Sequence, residues 1–116
     1  MKKQLGKHGE ERAASYLKKK GYMIIKTNYF TRYGELDIVC EKSGEIIFVE
    51  VKTRKTTRYG TPEESITYQK IQHIKKAAII YLNECKQAYR GIRFDVITIF
   101  IDQQGKETIN HIENAF

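Results

Sequence analysis

The stretch from Gly34 to Thr53, GELDIVCEKSGEIIFVEVKT, constrains this chain more than any other. It reads as two strands, Glu35–Glu41 and Glu45–Thr53, around a Lys42-Ser43-Gly44-Glu45 turn. With Ser43-Gly44 as the two turn residues, Lys42 faces Glu45, and the numbers of every opposed pair sum to 87. Asp37 then stands opposite Glu50, and Glu35 opposite Lys52. Side chains alternate along a strand, so these four project to one side. The other face reads Leu36, Ile38, Cys40, Ile47, Val49 and Val51, apolar throughout and suited to a core. A slip of one residue would drive the charges into that face, so the pattern itself specifies the register.

The flanking segments supply what such a hairpin needs to be covered. A helix is expected over His8–Lys20, with Glu10, Ala13, Ala14 and Leu17 at helical spacing. Lys18–Lys20 suit the negative end of its dipole, and Gly21 suits the position just past its end. Tyr22–Thr27 reads as a strand and Asn28–Gly34 as a polar and aromatic connection. A second helix is expected from near Thr61, where Thr61, Pro62, Glu63 and Glu64 resemble a capping box with proline at the first helical position. Its inward stripe is Ile71, Ile74, Ala78, Tyr81, Leu82 and Cys85, and Tyr89-Arg90-Gly91 ends it. Arg93–Ile101 reads as an apolar strand, Asp102–Gly105 as a turn, and Lys106–Glu113 as a last strand. The order αβββαββ predicts an α/β fold, a mixed sheet with helices packed on it.

At 116 residues this is one domain's worth of chain, able to form a core without disulfides or a structural metal. The longest apolar runs, Ile46–Val49 and Val96–Ile101, fall far short of the roughly 20 residues that cross a bilayer. The basic N-terminus lacks the apolar stretch of a secretory signal. Cys40 and Cys85 lack metal-ligand spacing and read as reduced, partly buried thiols of a cytoplasmic protein. His8, His73 and His111 are scattered and read as surface or structural.

Charge points to a polyanionic partner. Twenty-one Lys and Arg against fourteen Asp and Glu leave a net charge of +7. Lys52, Arg54, Lys55 and Arg58 place four cations in seven residues with no acid among them. Lys70 and Gln69, early in the second helix, have two readings, phosphate contact or solvated face. Tyr29, Phe30 and Tyr33, with Arg32 among them, have two as well, stacking on exposed bases or packing within a loop. Asp95, beside Phe94 on an apolar strand, reads as a structural acid paired with Arg93 or another cation.

Asp37 directly opposite Glu50 should be repulsive. A fold tolerates that when a cation sits between the two carboxylates, and Mg²⁺ takes hard oxygen ligands of this kind. Lys52 shares their face, where an ammonium can orient a water nucleophile and offset charge developing on a phosphate. Glu10 continues the Ala13–Leu17 stripe toward the sheet. It reads either as a further carboxylate of the site or as a helix-start acid favoured by the dipole. Two cross-strand pairs on a solvated face would explain Glu35 with Lys52, but not Asp37 with Glu50.

The spacing Asp37…Glu50-Val51-Lys52 resembles the PD-(D/E)xK signature of restriction-endonuclease-like nucleases. A longer string is more specific. It comprises Gly6-x-x-Gly9-Glu10-x-x-Ala13-x-x-Tyr16-Leu17, Gly34-Glu35-x-Asp37, Phe48-Val49-Glu50-Val51-Lys52-Thr53-Arg54, Tyr59-Gly60-x-Pro62 and Arg93-Phe94-Asp95-Val96. Together these resemble the bacterial YraN-like family, which is similar in fold to archaeal Holliday-junction resolvases. The resemblance covers nearly the whole chain. It implies an αβββαβ nuclease core, with Asp37 and Glu50 as metal ligands, Lys52 as the catalytic lysine and Glu10 matching the helix-borne acid of the resolvases. The chain departs from the broad signature at Leu36, where a proline is usual.

The expectation is therefore a single cytoplasmic nuclease-like domain spanning residues 1–116. It would hydrolyse DNA phosphodiester bonds with Mg²⁺, or Mn²⁺ in its place, on branched or structured DNA of repair and recombination. Asp37, Glu50 and the Val51 carbonyl would hold the metal, Lys52 would position and activate water, and Glu10 and Glu35 would add outer or second-metal carboxylates. Arg54, Lys55 and Arg58 would bind backbone phosphates without reading sequence. No membrane partner is expected, and resolvase-like cutting at two sites would call for a homodimer. The rival reading is a non-catalytic nucleic-acid-binding module with a vestigial nuclease site.

Overall fold

The computed structural model describes residues 2–55 and 66–116, with side chains from Gly6 onward. The elements are α1 (Lys2–Lys19), β1 (Met23–Thr31), β2 (Gly34–Lys42), β3 (Glu45–Lys55), α2 (Tyr68–Cys85), β4 (Gly91–Ile101) and β5 (Glu107–Ile112). The strands form one five-stranded sheet in the order β1-β2-β3-β4-β5. β3 and β4 run parallel and every other neighbouring pair is antiparallel, so the sheet is mixed, as expected.

The central hairpin keeps the expected register, from Lys42↔Glu45 to Ile38↔Val49. Ser43 and Gly44 both take positive φ, 54° and 84°. That backbone matches the right-handed twist of the two strands and locks their pairing. Both faces of the hairpin are buried, however. Ile38, Cys40, Ile47 and Val49 pack under α1 with Ala13 and Leu17. Val39, Ile46 and Phe48 pack under α2 with Ile74, Ala77, Ala78 and Tyr81. A strand paired in parallel through a crossover helix is covered on both sides.

α1 starts at Lys2, earlier than the expected His8, and ends in a Schellman motif. Tyr22 N–H donates to the Leu17 carbonyl and Gly21 N–H to that of Lys18, with Gly21 at φ 92°. Leu17 and Tyr22 then meet in the same core cluster. α1 also lies unusually close to β3. A Cβ on Gly9 would stand 1.9 Å from Thr53 Oγ1, which is buried and has no hydrogen-bond partner among the described residues. Gly9→Ala is therefore expected to cost about 1–3 kcal/mol despite alanine's better helix propensity. Adding Thr53→Ala should recover most of the loss. Chemical denaturation of the two variants checks this, and an unchanged Gly9→Ala midpoint would show that the close approach is dispensable.

Four expectations about the elements are corrected. β1 runs on to Thr31, so Asn28–Gly34 is largely strand, closed by a tight turn at Arg32-Tyr33. β1 is an edge strand, and an edge strand needs no apolar alternation to pair. Leu36 lies on the α2 side, not with Ile38. The alternation breaks between them, opposite Asn28, whose φ of 53° falls in the left-handed region between Thr27↔Ile38 and Tyr29↔Leu36. α2 starts at Tyr68, where Thr67 takes an extended conformation and its side chain accepts from Lys70 N–H. The expected capping residues Thr61–Glu64 lie outside the described residues. α2 also ends at Cys85, before Tyr89-Arg90-Gly91. Lys86 adopts a left-handed cap there, leaving Cys85 exposed while Cys40 is buried.

Candidate active site

The acids gather where β2 and β3 stop pairing backbone to backbone. Past Ile38↔Val49, the Val51 N–H is taken by Asp37 Oδ2 at 2.9 Å. β3 continues to Lys55 on its pairing with β4 alone. Asp37 is thus held in the sheet by its own carboxylate and is only 8% exposed.

Glu10 reaches this point from α1, and Glu35 from two residues upstream on β2. Glu10, Glu35 and Asp37 each bring a carboxylate oxygen within 4.8 Å of the other two. Asn28 spans the pair around Asp37: its Nδ2 donates to Glu10 Oε1 at 2.7 Å and to Glu35 Oε1 at 3.3 Å. Burial pushes the Asp37 carboxyl up to about 8, reinforced by the charge of Glu50 and a hydrogen bond with it, with Glu10 adding further. The Val51 N–H opposes the shift without cancelling it. Glu35 is raised too, by burial first and then by its hydrogen bond with Asp37. These are carboxylates that the surrounding protein leaves short of positive charge. Their hard oxygens are the donors that Mg²⁺ or Mn²⁺ takes, so the residues present fit such an ion.

Glu50 adjoins Asp37 but lies outside the tight trio, with Lys70 Nζ of α2 at 3.9 Å from its Oε1. Lys52, two residues further along β3, lines a cavity of about 380 Å³ with Ile66, Ile71, Val96, Thr98 and Phe100. Val51 packs against the α1-side core. Arg54 Nη1 donates to the Thr53 carbonyl, and Lys55 is exposed at the end of β3. Arg58 lies outside the described residues. The structure therefore collects Glu10, Glu35, Asp37 and Glu50 at one place, with Lys52, Arg54 and Lys55 following along β3. Among the described residues no helix is long and apolar enough to cross a membrane.

The sequence profile of the Uncharacterised protein family UPF0102 matches residues 9–99, a span that contains every one of these side chains. The chain belongs to the UPF0102 family. It is 56% identical over 116 residues to a UPF0102 protein of Syntrophomonas wolfei, covering the whole of both chains. It is 45% identical over 119 residues to one of Caldicellulosiruptor bescii, covering 98% of each. A UPF0102 protein of Rhodococcus opacus is 41% identical over 112 residues, 97% of this chain and 95% of that one.

One residue at the site of this UPF0102 chain, Asn28, is missed by the sequence reading, and a second, Lys70, takes a partner that the reading does not name. Asn28 falls in the expected connection, and only the left-handed backbone that places its amide between Glu10 and Glu35 reveals its part. An asparagine amid the polar and aromatic residues that follow β1's apolar start was the available signal, since Asn tolerates that conformation better than most residues. Lys70 has two readings in the sequence, phosphate contact or solvated face, but its position against Glu50 depends on how α2 crosses the sheet. The scattered histidines are structural where the described residues involve them: His8 pairs with Glu107, and His111 with Asp95.

Proposed function

We propose that this UPF0102 protein is a divalent-metal-dependent endonuclease of the restriction-endonuclease-like class, hydrolysing DNA phosphodiester bonds in the cytoplasm. The observation that carries the reading is the buried Asp37 carboxylate on β2, crowded by Glu10, Glu35 and Glu50 and bonded to Val51 of the neighbouring β3, which continues into Lys52, Arg54 and Lys55. A binding module has no use for four acids where phosphate must approach. The resemblance to resolvases favours branched or structured DNA as the substrate.

Asp37, Glu50 and the Val51 carbonyl would hold the ion, with Glu10 and Glu35 beside them. Bound there, Mg²⁺ or Mn²⁺ would supply Lewis-acid polarisation of the phosphate and an acidified water. Lys52 orients the attacking water and offsets the charge that develops on the phosphate in line with the leaving oxygen. Asn28 fixes the rotamers of Glu10 and Glu35, so both carboxylates stay in place without the ion. Arg54, Lys55 and Arg58 hold the flanking backbone, which carries no sequence information.

The reading is tested by cleavage of linear, flapped and four-way DNA with Mg²⁺ or Mn²⁺, with Glu50→Gln as control. Cutting by the parent and none by the variant is expected; no cutting of any substrate by either protein removes the enzymatic reading. Binding should weaken steeply with salt, because neutralised phosphates release their counterions. Replacing Arg54, Lys55 and Arg58 with alanine should flatten the logarithmic salt slope by about 0.9 for each phosphate that is no longer neutralised. A slope that does not change would place the DNA away from the end of β3.

A further inference from the structure

A second cationic face adjoins the acids along α2 and the β1–β2 turn. A cavity of about 150 Å³ is lined by Tyr33, Gly34, Glu35, Lys70, His73 and Ile74. Two of its walls already belong to the acidic site: Glu35 is one of the clustered carboxylates, and Lys70 faces Glu50. The opposite wall is Tyr33, in the β1–β2 turn. Its ring carries the Arg32 guanidinium at 5.1 Å and the Lys76 ammonium at 5.2 Å from its centroid. Lys70, His73 and Lys76 follow one another at three-residue spacing, so they form a single row along α2.

Arg32 and Lys76 are both exposed, and among the described residues neither forms an ion pair with an acid. Two like charges gathered on one ring repel each other. The ring's quadrupole repays only part of that at an exposed site. The acids near this row are Glu35, turned into the cluster with Asp37, and Glu84, which accepts from the Tyr29 hydroxyl in the last turn of α2. Neither neutralises the pair. From Lys70 to Lys76 the helix rises about 9 Å, the axial length of two to three nucleotides at about 3.4 Å each.

We propose that Arg32, Tyr33, His73 and Lys76 form a second DNA-backbone surface, which carries the strand on one side of the cleaved bond while Arg54 and Lys55 carry it on the other. The inference rests on the nuclease reading above and adds the path of the substrate across α2. The bound polyanion supplies the charge that the Tyr33 clamp lacks. Lys70 stands where this path enters the acidic site.

The test is fluorescence anisotropy of a labelled four-way junction and a labelled duplex, with Ca²⁺ in place of Mg²⁺. The double variant Arg32→Gln/Lys76→Gln is compared with Lys18→Gln/Lys19→Gln, which removes the same charge from exposed positions at the far end of α1. The first pair should lower the logarithmic salt slope by about 1.8, two phosphates at about 0.9 each, and weaken binding about tenfold or more near physiological salt. The second pair should leave the slope unchanged. Equal effects from the two pairs would reduce the face to net charge and overturn the proposal. In that case, a loss of slope in Arg54→Gln/Lys55→Gln would leave the nuclease reading standing. If the parent itself shows no salt-dependent binding to either DNA, the reading and the proposal fail together.

Discussion

Asp37→Asn is expected to lose metal-dependent cleavage by about 10³-fold or more while making the metal-free protein more stable at neutral pH. The two effects share one cause. Asp37 is buried among like charges, and its carboxyl sits at about 8 in the folded protein against 3.8 ordinarily. A raised carboxyl favours the folded state while it is protonated. Its contribution is therefore fully present below about pH 4 and is lost as pH rises toward 8, with a ceiling of about 1.4 kcal/mol per pH unit for one proton. Asparagine cannot ionise, yet its amide oxygen can still accept the Val51 N–H. The stability of parent and variant should therefore diverge from pH 4 to pH 8, by roughly 2 kcal/mol at the upper end. Glu107, held below the usual carboxylate range by His8 and Arg12, acts in the opposite direction but equally in both proteins, so it cancels in the comparison. Mg²⁺ at ten times its dissociation constant should stabilise the parent by about 1.4 kcal/mol, a rise of several degrees in Tm, and should leave Asp37→Asn unmoved. Thermal melts of both proteins across pH, with and without Mg²⁺, check all of this. If Mg²⁺ and Mn²⁺ move neither melt, or both equally, the carboxylates do not hold an ion.

The second large effect lies away from the site. Asp95, 0% exposed, accepts from Arg93 Nε and Nη2 at 2.9 Å each, from the Asn114 N–H at 3.1 Å, and bonds His111 Nε2 at 2.7 Å. Arg93 also donates to the Tyr22 hydroxyl at 2.8 Å and pairs with Glu113 at 3.1 Å. One carboxylate thereby ties together β4, β5, the C-terminal turn and the start of β1. Its hydrogen bonds are the largest cause of the raised Arg93 pKa. Asp95→Ala would strand a mostly buried guanidinium and two other groups, His111 Nε2 and the Asn114 N–H, and is expected to cost about 3–5 kcal/mol. For a domain of this size that lowers Tm by well over 10 °C. Asp95→Asn should cost less, because it keeps an acceptor. Asp95 touches none of the clustered acids, so any cleavage should persist in Asp95→Asn at low temperature. A loss under about 1 kcal/mol in Asp95→Ala, read by urea denaturation, would show that the network is not what joins these elements.

The hairpin register, the Schellman end of α1 and the Arg93–Asp95 pair were legible in the sequence, because each is decided by residues close together in the chain. Ser43-Gly44 supplies the two positive φ angles that fix the turn and with it the pairing, and Gly21 permits the left-handed step. That Asp37 and Glu50 adjoin followed from the same arithmetic, but the ladder ends at Ile38↔Val49, so neither Asp37 with Glu50 nor Glu35 with Lys52 forms the expected cross-strand pair. Whether Glu10 joined them did not, because that depends on how closely α1 approaches β3, and the missing Cβ of Gly9 over Thr53 decides it. The role of Asn28 and the shift of Leu36 to the α2 side arise from one left-handed residue in an edge strand, which periodicity cannot register. Lys70, Tyr33 and Lys76 meet only because α2 crosses the sheet beside the β1–β2 turn. Local alternation and turn chemistry determine which side chains share a strand face. Only packing between distant segments determines which faces meet, since that depends on contacts of long sequence separation, and these leave no period in the chain.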